Sequence, residues 1–100
     1  MTKSELIARL AERYPQLVAK DTELAVKTIL DAMATSLSRG QRIEIRGFGS
    51  FDLNYRPPRV GRNPKTGEEI PISARRVVTF HASHKLKGIV QGDIPVGDEF

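Results

Sequence analysis

The 100 residues contain no cysteine. That excludes disulfides and thiolate metal sites and fits a reducing compartment. Tryptophan is also missing, and the aromatics are six in all, two Tyr and four Phe. Most of them stand at core-like positions, too few to build a surface on which bases stack. No apolar run approaches the ~20 residues of a membrane-spanning helix. No apolar segment follows the opening Met1-Thr2-Lys3-Ser4-Glu5, so no secretory signal is expected there. Internal repeats and low-complexity tracts are absent. Acidic residues are the minority, 12 against 16 Lys and Arg, which leaves a net charge of +4. This basic balance points to an anionic partner, nucleic acid first. A chain of this length suits one small domain whose core is marginal alone, so oligomerisation is expected.

The cations are concentrated around one stretch, Gly61-Arg62-Asn63-Pro64-Lys65-Thr66-Gly67. Asn63-Pro64 favours turn initiation, and Gly61 and Gly67 permit unusual backbone angles. Strand-like segments flank it, Phe51–Val60 before and Ile70–Phe80 after. The whole reads as a β-hairpin arm over about 55–76 with a tip at 61–67. Taken alone, Asn-Pro-Lys-Thr-Gly is an ordinary solvated turn. Its flanks change the reading, because Arg56, Arg59, Arg62, Lys65, Arg75 and Arg76 meet only Glu68 and Glu69 on the two limbs. A proline at an exposed tip is a rigid apolar wedge. Wedges of this kind can enter a base step and kink a duplex while a basic shaft follows the groove. The same stretch is not a nucleotide P-loop. Its spacing is short, and Pro64 stands where the second glycine must be.

The rest of the chain supplies a body. Thr2-Lys3-Ser4-Glu5 has capping-box spacing, Leu6, Ile7, Leu10, Ala11 and Tyr14 share a helical face, and Pro15 ends the first helix at Tyr14. A second helix is predicted from Lys20–Asp21 to a glycine stop at Gly40. Its face Val26, Ile29, Leu30, Met33 and Leu37 is widened by Leu24 and several alanines. Such a band is too wide for one short helix to cover, so part of it is expected to bury against a partner subunit. Arg42-Ile43-Glu44-Ile45-Arg46 alternates like a half-buried strand, with Ile43 and Ile45 inward. Gly47–Phe51 is predicted to be a turn whose Phe48 and Phe51 are core or dimer-interface residues. Pro57-Pro58 and Pro71 are tolerable only at strand edges. Val77, Val78 and Phe80 return to the body, and a third helix is predicted over Ala82–Val90. His81 and His84 have i, i+3 spacing but no third ligand, so no metal is expected. Gln91–Phe100 reads as a frayed tail. The fold class expected is α+β: three helices, a small antiparallel sheet and a long flexible arm.

At this point the residues resemble the bacterial nucleoid-associated family of HU and integration host factor, over residues 1–90. The likeness is strongest where Gly47-Phe48, Phe51, Arg56, Arg59, Gly61, Asn63-Pro64 and Thr66 stand at the family's spacing. The blocks Met1–Ile7 and Arg42–Phe51 are most similar to the integration host factor β subunit. The resemblance implies an intertwined dimer with two arms in the minor groove, and Ile29, Met33, Leu37, Phe48, Phe51 and Phe80 in its core or interface. It implies DNA as partner, intercalation by Pro64, and a bacterial cytoplasmic, nucleoid location. It implies service in recombination, replication and the regulation of transcription and translation. Arg46 matches a minor-groove contact and Glu44 the carboxylate that holds it. Arg56, Arg59, Arg62, Asn63, Lys65, Arg75 and Arg76 match arm contacts, and Lys3, Lys85 and Lys87 match flanking phosphate contacts. No cofactor is implied. The returning limb Ile70–Phe80 is more like the family's α subunit, and His81-Ala82-Ser83 departs from the usual basic-Pro-Gly turn. Pairing with an α-type chain and pairing with a second copy both stay open, as does an HU-like binder with little sequence preference. An enzyme acting on nucleic acid finds no paired carboxylates, nucleophile–base set or metal cluster to support it. A protein-interaction module built on the wide helix would predict no effect of changes in the arm.

Overall fold

The computed structural model describes residues 1–97, which form two units, Met1–Ser38 and the remainder from Arg39. In the first, α1 runs over Lys3–Arg13 and α2 over Ala19–Ser38. Thr2 caps α1 by accepting a hydrogen bond from the Glu5 amide at 3.2 Å, which satisfies one orphan donor of the first turn. Tyr14 leaves the helical region ahead of Pro15, while its N–H still donates to Leu10 O. The second helix starts one residue earlier than its sequence suggests. The amides of Asp21 and Thr22 both donate to Val18 O, which closes its first turn.

Helices α1 and α2 pack together, yet in this unit only Thr22 and Val26 are buried. Leu24 is 61% exposed and Ile29 60%, and Leu30 is exposed as well. Met33 and Leu37 are half-buried. The band read as too wide for one short helix to cover is thus buried at Val26, half-buried at Met33 and Leu37, and exposed at Leu24, Ile29 and Leu30.

The second unit holds five strands and a helix: β1 Ile43–Ile45, β2 Gly49–Arg56, β3 Arg59–Arg62, β4 Glu69–Ile72, β5 Arg75–Ala82 and α3 His84–Gln91. Strands β1, β2 and β5 form one antiparallel sheet in that order, and β3 pairs with β4. The turn after β1 is shorter than expected: Gly49 already begins β2, so Phe51 is a strand residue and not part of the turn. Register explains this. Ile43 pairs with Phe51 and Ile45 with Gly49, and Gly47, at φ +80°, makes the reversal that leaves Phe48 N on Ile45 O. At Gly49 a Cβ would stand 2.6 Å from both His81 O and the Phe80 ring, so only glycine lets β2 approach β5 there.

Alternation gives the sheet two chemically distinct faces. Ile43, Ile45, Phe51, Leu53, Val78 and Phe80 share one. Phe80 is the hub of an aromatic set, 4.8 Å from Phe51 and 5.6 Å from Phe48 between ring centroids. Phe80 and Ile45 nevertheless remain exposed, at 41% and 40%, so Ile45 is not the buried residue that strand alternation predicts. The opposite face carries Arg42, Glu44, Ser50, Asp52, Asn54, Thr79 and His81.

Ser83, not Ala82, starts the third helix. Its hydroxyl donates to Gly47 O at 2.7 Å and accepts from Leu86 N at 3.0 Å. One side chain therefore caps α3 and ties it to the β1–β2 turn. His81 consequently ends β5 while His84 begins α3, so the two histidines do not share a helical face. The helix extends through Gln91. Gly92, at φ +88°, turns the chain so that the amides of Asp93 and Ile94 donate to Gly88 O. Ile94 then lies over Gly88. The tail expected to fray thus begins with an ordered cap, and its last three residues lie outside the described ones.

Candidate nucleic-acid interface

The arm is one hairpin in a single register. Arg56 pairs with Arg75 at the end of the body sheet, and Arg59 pairs with Ile72 beyond the break. Both pairs fit the same alignment, so Pro57-Pro58 faces Ser73-Ala74 with no residue inserted on either side. The prolines remove ladder donors without shifting the strands. This keeps side-chain alternation coherent along the whole arm, so the same parity that orients Arg56 orients Arg62. Pro71 sits opposite Val60, on a two-stranded piece where a missing donor is tolerated.

The tip is closed by its own polar groups. Asn63 N donates to Glu68 O at 2.9 Å, and Gly67 N to Asn63 O at 2.7 Å. Asn63 Oδ1 accepts from Lys65 N at 2.9 Å, and Thr66 Oγ1 from Glu68 N at 3.2 Å. Gly67, at φ +73°, supplies the left-handed step that L side chains resist. Asn63 therefore builds the tip by satisfying its backbone. Pro64 and Lys65 are left exposed at the end. Arg62 bonds Gly67 O at 3.3 Å and faces Glu69 at 3.4 Å.

Arg56, Arg59 and Arg75 line one recess of the arm with Pro57, Ile72 and Ser73. Arg56 and Arg75 are direct cross-strand partners. Like charges placed so oppose pairing, and no carboxylate among the described residues answers them. The fold thus holds cations together at a small loss of its own stability, as a surface built for a polyanion would. Arg76 behaves differently. Its guanidinium lies against Gly40, which places it at the base of the arm, turned to the body.

A second recess lies on the polar face of the sheet and is lined by Arg42, Glu44, Arg46, Ser50 and His81, among others. Glu44 does not pair with Arg46 as the resemblance implies. Its carboxylate meets Arg42 at 3.0 Å, and Arg42 Nε bonds Asp52. Both bonds push the Arg42 pKa above its ordinary value, Asp52 more than Glu44. The cause is local: Arg42 is anchored at a second point by Asp52, and Arg46 stands in the turn. Lys3 opens α1, and Lys85 and Lys87 lie on α3 with Lys87 exposed.

Asp52 and Ser83 were missed by sequence reasoning. Ser83 carried a usable signal, a hydroxyl residue just ahead of an apolar-periodic run. Asp52 carried none, because its pairing with Arg42 follows from a register that only the structure reveals.

The family described as bacterial DNA-binding protein matches residues 1–91. The integration host factor subunit beta of Laribacter hongkongensis is 75% identical over 87 residues, covering 87% of this chain and 88% of the relative. That of Nitrosomonas europaea is 68% identical over 90 residues, covering 90% and 86%. Among solved structures, an Anabaena HU–DNA cocrystal superposes with a TM-score of 0.79 at 34% identity, over 90% of this chain and 97% of that one. A Thermotoga maritima HU mutant gives 0.64 at 30% identity, over 90% and 99%.

Proposed function

The chain belongs to the bacterial DNA-binding protein family, and we propose that it is one subunit of a dimeric architectural protein that grips the minor groove and bends duplex DNA by intercalating Pro64. The observation that carries this reading is the arm itself: an in-register hairpin with Arg56, Arg59 and Arg75 unanswered on its shaft and Pro64 exposed at its end. The role is structural, not enzymatic. It belongs in the bacterial cytoplasm, on the nucleoid, where recombination, replication and transcription need sharply bent DNA.

The magnitudes favour two arms over one. Smooth bending of a site costs about 1–6 kcal/mol, and unstacking a step adds a few more. Six to ten phosphate contacts change affinity by about 10³–10⁵ across ordinary salt, or roughly 4–7 kcal/mol. Arg56, Arg59 and Arg75 alone give three such contacts on one arm and six on two. The uncovered apolar residues make the same demand for a second subunit. Leu24, Ile29 and Leu30 on α2, and Ile45 and Phe80 on the sheet, are large apolar side chains that a folded domain does not leave in water together. The partner is an α-type chain or a second copy. Site preference of the integration host factor kind rests on Arg46, and the HU-like alternative has little preference.

The test is binding of the dimer to an about 35-base-pair duplex across a salt series. Six contacts predict a slope of log affinity against log salt of about −5. A slope near −1 would remove the arms from the interface.

A further inference from the structure

The arm carries one packing contact that neither its charges nor its tip explains. Within β3 and β4 only Gly61 and Ile72 are half-buried. Ile72 stands directly opposite Arg59, yet its side chain leans along the diagonal over Gly61. A Cβ on Gly61 would lie 2.7 Å from Ile72 Cδ1 and 3.5 Å from its Cγ1. Val60, Ile70 and Pro71 around this contact stay exposed. The glycine thus forms a socket, and an isoleucine lies down in it.

Backbone conformation does not require glycine here. Positive φ occurs at Gly40, Gly47, Gly67 and Gly92, and Gly61 is not among them. Glycine inside a strand weakens it, and marks places where another group approaches closely. What it provides at Gly61 is space. An isoleucine that met a Cβ there would swing off the face of the hairpin, since its δ-methyl is the free end of the side chain. The fold loses little by that. A narrow site loses more. The minor groove of B-DNA is about 6 Å wide, and a hairpin that enters it has little room for side chains standing off its faces.

We infer that Gly61 is a positioning residue that limits the thickness of the arm: by letting Ile72 lie flat, it admits the segment beyond it to the groove. The inference rests on the minor-groove reading of the arm. Arg62, Pro64 and Lys65 lie beyond this point, so they reach DNA only if the hairpin passes it. Arg56 and Arg75 pair nearer the body and keep their contacts either way.

The test is a size series at one position, read on the dimer bound to an about 35-base-pair duplex. Gly61→Ala displaces little beyond the δ-methyl and should bend DNA nearly as the wild type does. Gly61→Val should lower end-to-end fluorescence transfer at least as far as Pro64→Ala does. Loss of Arg62 and Lys65 from phosphate should also flatten the salt slope by about 1.8 for each arm. Adding Ile72→Ala to Gly61→Val gives the valine the space the isoleucine left, and should restore both readings. A hairpin that had merely misfolded would not recover on losing a second side chain. Ile72→Ala alone should bind and bend as the wild type does. A loss there would mean that the contact stiffens the arm, and would overturn the inference. So would equal losses in Gly61→Ala and Gly61→Val, because the position would then need backbone freedom and not space. In the DNA-free dimer the Ile72 δ-methyl NMR signal should move in Gly61→Val while signals of the body stay in place; an unmoved methyl would count against the socket. If wild-type protein leaves the duplex ends apart, the minor-groove reading fails and takes this inference with it. If the wild type bends DNA and Gly61→Val bends it equally, the inference alone fails.

Discussion

Helix α2 and the arm are both incomplete, in opposite ways. The helix presents Leu24, Ile29 and Leu30 to water. It lacks apolar cover, which only another folded surface can supply. The arm buries almost nothing but satisfies its own backbone to the tip, and what it lacks is counter-charge. Arg56 and Arg75 face each other across the strands, and Pro64 is exposed at the end. Missing cover calls for protein, and missing counter-charge calls for a polyanion. One chain therefore specifies two partners of different chemistry at two separate places.

The comparison can be broken most forcibly at the helix. Ile29→Asp places a charge where a partner is expected to bury about 1.5–3 kcal/mol of apolar side chain. Association should weaken at least hundredfold, about 3 kcal/mol, in sedimentation equilibrium. Unchanged association with full helix content would mean that α2 is not the interface. Next comes the arm. Replacing Arg56, Arg59 and Arg75 together by alanine should leave circular dichroism unchanged. It should also flatten the salt slope by about 2.7 for each arm. If the slope stays and only the affinity falls, these arginines shape the arm and do not touch phosphate.

Smaller effects sharpen the contrast. Ser83→Ala removes both the cap of α3 and its tie to Gly47 O, so a loss of about 1–2 kcal/mol is expected. A thermal melt should show it as a drop of several degrees, with little change in DNA binding. Gly67→Ala meets no steric obstacle, yet it must hold φ +73°. The strain is about 1 kcal/mol. Hydrogen exchange should quicken at the tip and nowhere in the body, and a change spread through both would deny the arm its independence.

Much of this was legible in the sequence. The arm announces itself through proline, glycine and arginine, because turn chemistry is local and needs no tertiary context. The breadth of α2's apolar band was legible for the same reason, as was its need for cover. The misreadings lie where two segments had to be aligned. Pro57-Pro58 signals an interruption, but nothing local says that the hairpin resumes in the same register beyond it. Phe51 reads both as the end of a glycine-flanked turn and as the start of the strand-like segment Phe51–Val60, and pairing with Ile43 makes it a strand residue. Glu44 has an arginine two residues away on either side, and its carboxylate meets Arg42, which Asp52 on the neighbouring strand also bonds. Competition among charged side chains is settled in three dimensions, and a one-dimensional pattern offers both answers.

The central claim is the wedge, and it has a direct measurement. Fluorescence transfer between the ends of an about 35-base-pair duplex reports the bend at saturating protein, for the wild type and for Pro64→Ala. Wild-type protein should bring the ends close together. The alanine variant, with its fold and most of its phosphate contacts intact, should bind the same duplex and leave the ends farther apart. Equal transfer from both proteins at saturation would contradict the account, because the bend would then owe nothing to Pro64.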